Sequence, residues 1–264
     1  FGLHFPCLHH GITVFERKFA YTKPMKPFSP QSLTYFFLSR ASACPYLPDR
    51  IEQMVFTDLS SAGTPQKLHN QLSRTGFRRS QGIAYKPNCP DCQACRAVRV
   101  PVAGFTPGRG LQRIARRNAG ITAKSMPSAG RGEHYALFHR YVRSRHGDGG
   151  MAGMSFDDYL AMVQDTPVPS ELIEFRTEDG ELYGVCLTDP LDDGLSLVYS
   201  FFDPDMAGGS PGKYIILWHI AEAQRRGLPY VYLGYWIEES RKMAYKARFR
   251  PLEAHGPNGW ETLP

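Results

Sequence analysis

The sequence predicts an α+β protein built on a mixed sheet, and two features of its second half carry that prediction. Strand-like runs at 172–176, 182–188 and 195–202 follow one another across polar turns at Glu178-Asp179-Gly180 and Leu191-Asp192-Asp193-Gly194, the pattern of antiparallel neighbours. A helix at 211–226, stopped by Gly227, then leads through Pro229 into a returning strand, Tyr230–Trp236, which makes the sheet mixed.

In chain order, residues 1–43 supply no clear element and are expected to be a leader or a poorly ordered segment. Residues 64–75 read as a helix, with Leu68 and Leu72 one turn apart and Gly76 just beyond its end. A strand-like Ile83-Ala84-Tyr85 precedes a turn of Pro87, Asn88, Pro90 and Asp91 that carries the cysteines. Val98, Val100 and Val102 alternate with Arg99 and Pro101, as in a half-buried edge strand. Residues 107–118 form a basic helix with Arg113, Arg116 and Arg117, and 131–145 a second helix. Ser155 and Asp158 make a capping box for a third. A last basic helix at 240–249 places Lys242, Lys246 and Arg250 on one face. The expected division is 44–126 for an N-terminal cysteine-containing domain and 127–264 for the sheet domain.

Hydrophobic residues make up 42% of the 264 and aromatics 12%, which excludes general disorder. A formal charge of +6 is compatible with a phosphate-bearing partner and is weak evidence by itself. No run of about 18 apolar residues is present, so no membrane-crossing helix is expected. Cys89, Cys92 and Cys95 form a Cys-x-x-Cys-x-x-Cys run, a metal-type spacing rather than a disulfide ladder, and a reducing cytoplasm is the expected compartment. Joined by Cys44, these thiolates could complete a four-sulfur site. Zinc and an iron–sulfur cluster both accept four thiolates, and a metal-free cysteine knot is the alternative.

Four stretches, in order, carry a resemblance: Cys44-Pro45-Tyr46-Leu47-Pro48; GFRRSQGIAYKPNCPDCQACRAVRVPV at 76–102; LSLVYSFFDPD at 195–205; and LPYVYLGYWIEESRKMAYKARFRPLE at 228–253. The chain resembles, over about 44–261, the bacterial aspartate/glutamate leucyltransferases, a branch of the arginyl-tRNA–protein transferase family. The resemblance implies a C-terminal domain of the acyl-CoA N-acyltransferase (GNAT) fold packed on a smaller cysteine-bearing N-terminal domain. It also implies a donor, leucyl-tRNA, and an acceptor protein with N-terminal Asp or Glu, marked for N-degron proteolysis. No ATP and no cofactor are required for transfer.

The aminoacyl ester is already activated, so an enzyme need supply only position, a neutral amine and stabilisation of the oxyanion. No Ser-His-Asp constellation is needed, and none is convincing here. An acidic acceptor calls for arginine, which grips a carboxylate bidentately. Arg78 and Arg79, with Ser80, match the family's Arg-Arg-Ser run; solvated or phosphate-bound arginines are the alternative. Tyr199 and Ser200 could line the amine site on a central strand, with Asp203 as the weak base or as a turn cap before Pro204. Tyr235, Trp236 and Tyr245, interleaved with Lys242, Lys246 and Arg250, suit a single-stranded acceptor end, whose bases stack on rings and whose phosphates meet cations. The 107–118 helix is a second candidate for the RNA backbone. Arginyl transfer and a coenzyme-A-dependent N-acyltransferase remain alternatives. Gly208-Gly209-Ser210-Pro211-Gly212-Lys213 argues against coenzyme A because its spacing is wrong for a pyrophosphate loop and proline removes one N–H. A zinc-bearing RNA-binding protein is the third reading.

Overall fold

The computed structural model describes residues 33–146, 150–240 and 242–264. Its strands and helices are β1 (Phe37–Leu38), β2 (Ser42–Ala43), β3 (Ile51–Glu52), β4 (Met54–Asp58), α1 (Pro65–Arg74), β5 (Arg78–Ser80), β6 (Ile83–Pro87) and β7 (Arg96–Pro101). There follow α2 (Arg109–Arg117), β8 (Thr122–Pro127), α3 (Gly132–His146), α4 (Phe156–Gln164), β9 (Glu171–Arg176), β10 (Leu182–Leu191) and β11 (Gly194–Phe202). The chain then forms α5 (Pro211–Arg225), β12 (Tyr230–Trp236), β13 (Glu253–Gly256) and β14 (Gly259–Thr262).

The main sheet runs β14-β13-β7-β12-β11-β10-β9-β8. Every neighbouring pair is antiparallel except β11 and β12, which run parallel across the α5 crossover, so the expected mixed α+β class is observed. Alternation along the strands fills both faces. Ile173, Phe175, Cys186 and Phe202 pack with Ile215 of α5. Leu172, Val185, Leu187 and Phe201 pack with Leu137, Phe138 and Val142 of α3 and with Tyr159 and Val163 of α4. The capping box of α4 is formed as expected, with Ser155 and Asp158 bonding each other's backbone N–H.

Four expectations differ from the structure. The valine-rich strand β7 is no edge: it lies between β12 and β13, and Arg99 is buried with Val98 and Val100. The alternation misleads because Arg99 is paired inside the fold, with Nε on Glu253 at 2.7 Å and its guanidinium carbon 3.5 Å from the Tyr230 ring centroid. Strands β7 and β8 also join one sheet with β9 to β14, so residues on both sides of 126 build the same layer. Residues 1–32, most of the expected leader, lie outside the described residues, whereas Phe37 and Leu38 pair with Phe56 and Val55 in the smaller sheet β1-β4-β6-β5. The expected helix at 240–249 is a short 3-10 turn, Ala244–Arg248. Among the described residues no helix is long and apolar enough to cross a membrane.

Candidate functional site at the parting of two parallel strands

Strands β11 and β12 pair only at Gly194–Tyr230, Leu195–Val231 and Ser196–Tyr232, and then part. The register of β11 against β10 shifts beside Val198, between Leu187 and Thr188, which bends β11 at the same level. The parting leaves β11 carbonyls without a β12 partner, and the polar groups must be satisfied from elsewhere. Arg78 of β5 does this: its Nη2 donates to the Leu197 carbonyl at 2.7 Å and the Val198 carbonyl at 2.9 Å. On the β12 side the guanidinium lies over Gly234, which has φ +76° and no side chain; a Cβ there would overlap Arg78 Nη1. Glycine is required at 234 on both counts, conformation and space. Nε and Nη1 of half-buried Arg78 make no hydrogen bond among the described residues.

Lys246 reaches the same opening. Its Nζ donates to the Tyr235 carbonyl at 2.6 Å, one residue beyond Gly234. Burial, reinforced by the Arg78 charge, pushes this ammonium down to about 7. Lys246 therefore does not share an exposed face with Lys242 and Arg250; it is 8% exposed, while they face solvent. The aromatic candidates are also turned inward. Tyr235 directs its single hydroxyl proton between the carbonyls of Tyr85 (2.9 Å) and Gly76 (3.2 Å), and Trp236 is buried in the α5-side core. Tyr245 is half-buried, its phenol pushed up to about 12 by burial. The structure does not present Tyr235 and Trp236 for stacking on bases.

Arg79, next to Arg78, points elsewhere. Its Nε and Nη2 grip Asp189 at 2.6 and 2.7 Å, while His69 and Ser170 also bond that carboxylate at 3.0 and 2.6 Å. Burial alone would raise the Asp189 carboxyl; hydrogen bonds from Arg79 and His69 reverse this and hold it down to about 2. The Arg79 guanidinium is thus committed inside the protein, joining β5 and α1 to β10, and is not presented to an acceptor. Ser80 is half-buried at the end of β5, paired with Ile83.

Tyr199 lies on the α3 face with Phe201, as alternation requires, and its buried hydroxyl has no hydrogen-bond partner among the described residues. Ser200 is half-buried and pairs with Cys186 across β10. Asp203 takes the turn-cap role: it accepts from the Asp205 N–H at 2.9 Å and is gripped by Arg140 at 2.7 Å.

A cleft of about 400 Å³ opens between α2 and the start of α5. Arg109, Arg113, Arg117, Lys213 and Arg248 line it, and none is in an ion pair among the described residues. Neither helix has a side-chain cap, and Gly108 and Gly110 leave the floor open. Arg113 and Arg117 were expected to meet RNA and do line the cleft; Arg116 does not. Lys213 and Arg248 were missed. The glycine-rich start of α5 ahead of Lys213 was the available signal, but Arg248 is brought in only by the turn.

Cys44, Cys89, Cys92 and Cys95 stand near one another. Burial and then the other three thiols push Cys95 up to about 12. Among the described residues, however, no three His, Cys, Asp or Glu side chains converge so as to hold a metal ion. Cys186 is buried core, as its apolar strand predicts; Cys7 lies outside the described residues.

Comparison with known proteins identifies the family. The family description "Arginine-tRNA-protein transferase, N terminus" matches residues 42–113, and "Arginine-tRNA-protein transferase, C terminus" matches 133–256. A protein of Paramagnetospirillum magneticum named aspartate/glutamate leucyltransferase is 50% identical over 87% of this chain and 93% of its own length. One of the same name from Parvibaculum lavamentivorans is 52% identical over 87% and 95%. Solved structures of related shape include L-PGS from Bacillus licheniformis (16% identity, TM-score 0.48, 61% of this chain and 57% of that one). FemX is similar at 9% identity and TM-score 0.46, over 82% of this chain and 84% of its own. Both are too distant to bear on the chemistry. The chain belongs to the arginine-tRNA-protein transferase family, among relatives named aspartate/glutamate leucyltransferases.

Proposed function

We propose that this protein transfers leucine from leucyl-tRNA to the N-terminal α-amine of proteins beginning with Asp or Glu, by direct aminolysis on a GNAT-like scaffold. The amine nitrogen bonds the leucyl carbonyl carbon, the bond from that carbon to the ribose oxygen of the tRNA breaks, and the amine proton ends on the ribose oxygen. An α-amine has a pKa of roughly 8, so a useful fraction is neutral near pH 7 without a strong base. The work left to the protein is alignment.

The observation that carries this reading is a single turn. Ala244–Arg248 sends Arg248 to the cationic cleft and Lys246 to the opening between β11 and β12. A phosphate-bearing donor and a carboxylate-bearing acceptor would therefore meet across two residues of backbone. Cations supplied by side chains suit a run of RNA phosphates. A coenzyme A pyrophosphate would rely more on backbone N–H groups, of which Pro211 removes one at the start of α5. In the opening, Arg78 has donors to spare for an acidic side chain. The leucine donor and the Asp or Glu acceptor rest on the names of the relatives. A tRNA substrate places the reaction in the cytoplasm.

The test is intact-mass analysis of a peptide beginning with Asp, incubated with the protein and a mixture of charged tRNAs. Addition of one leucyl residue is expected. Addition of arginine instead, or acetylation by acetyl-CoA with no transfer from tRNA, would overturn the assignment.

A further inference from the structure

Two cations meet in the opening between β11 and β12 without an anion. Arg78 is anchored through Nη2 to the carbonyls of Leu197 and Val198 and lies over Gly234. Lys246 holds the carbonyl of the next residue, Tyr235. No carboxylate pairs with either among the described residues, although the neighbouring Arg79 has Asp189. Burying like charges together is unfavourable, and a charge so placed is tolerated when a counter-ion can arrive. A counter-ion suited to this place has the chemistry of a carboxylate small enough to enter between two strands.

We propose that Arg78 and Lys246 jointly form the seat for the side-chain carboxylate of the acceptor's first residue. This rests on the acceptor class proposed above and adds a second specificity-determining residue, Lys246, to it.

The seat has a consequence for protons. The charged group acting on Lys246 is Arg78 of β5; the phenols of Tyr235 on β12 and Tyr245 on its own turn are kept neutral by burial. With its ammonium depressed to about 7, Lys246 is mostly neutral at pH 8 in the empty protein. A carboxylate arriving beside it favours the charged form, so binding an acidic acceptor takes up a proton there. At pH 6 the lysine is already charged and uptake vanishes.

The experiment is calorimetry of the full chain, without tRNA, against two short peptides that differ only in beginning with Asp or with Asn. Titrations at pH 6 and pH 8 in buffers of different ionisation enthalpy count the protons. The Asp peptide should take up close to one more proton than the Asn peptide at pH 8 and none at pH 6. Its affinity relative to Asn should fall about tenfold between these pH values. Equal uptake with both peptides, or a pH-independent affinity ratio, overturns the proposal, and this needs no variant. Lys246→Met should abolish the extra uptake while Asp preference weakens; extra uptake that survives in a folded Lys246→Met protein also overturns it. The leucyl transfer assay is run in parallel. Transfer to the Asp peptide with no differential uptake rejects the seat alone, whereas absence of any transfer rejects the underlying function.

Discussion

Arg78 and Arg79 are consecutive residues of β5, yet they have opposite electrostatic surroundings. Arg79 is buried against Asp189, with His69 and Ser170 completing the carboxylate's shell. Arg78 is half-buried among backbone carbonyls, with another cation, Lys246, as its charged neighbour. A saturated ion pair ties elements together; an unsaturated pair of cations is open to a ligand. The difference follows from strand geometry, because successive side chains point to opposite faces of β5. One face meets β10 and the other the gap beside β11.

The largest effect should come from breaking the saturated side. Asp189→Asn leaves Arg79 buried without its anion, and urea unfolding should show a loss of about 3–5 kcal/mol. The peptide KM of the surviving folded fraction should stay put; a changed KM with unchanged stability would exchange the roles assigned to the two arginines. On the unsaturated side, Arg78→Met should raise KM for an Asp-start peptide by roughly 10- to 100-fold, the worth of hydrogen bonds to a charged group. KM for tRNA should be unaffected, and an unchanged peptide KM would remove Arg78 from the acceptor seat.

Acid stability sharpens the same contrast. The Asp189 carboxyl is held at about 2, below its ordinary value, so its contribution is present above pH 4 and lost as pH falls through 2. That contribution is on the order of 2 kcal/mol, and thermal melts of the Asn variant should lack this acid limb. At Lys246 it is the charged form that opposes folding, yet stability again rises with pH. Its folded value of about 7 lies below the ordinary one, so the unfolded chain binds the extra proton between pH 7 and 10, and stability rises with pH through that window. Lys246→Met should raise Tm at pH 7 by a few degrees and flatten the rise; a lowered Tm would mean the ammonium is well compensated. The smallest expected effect lies in the cleft. Lys213→Ala and Arg113→Ala should each reduce the slope of log affinity for tRNA against log salt by about 1, and Arg116→Ala, outside the cleft, by less.

The sheet was readable because period-2 runs such as 195–202 and 182–188 are long, apolar and separated by Gly-bearing polar turns. The 240–249 segment failed for a related reason: spacing of Lys242, Lys246 and Arg250 fits a helix face, but the chain makes only a 3-10 turn and sinks Lys246. Long Lys and Arg stems are amphipathic, so their sequence positions do not say which end of the side chain meets water. Valine alternation in β7 misled for the same reason, since Arg99 is buried between Glu253 and aromatic rings.

By itself the sequence determined the strands β9 to β12, the α5 crossover, the family, and the set of basic and aromatic residues from which a site would be drawn, but not the strands β8, β13 and β14 that complete the sheet. The features it determined depend on local periodicity and on ordered motifs, which the chain carries along its length. Only the tertiary structure decided which of two adjacent arginines is neutralised, which lysine is desolvated, and which cations face one cleft. The first depends on a partner far along the chain, Arg79 and Asp189 being 110 positions apart, and the others on how a turn and two helices are packed. The free energy of a charge is set by what surrounds it, and no neighbour in sequence supplies that.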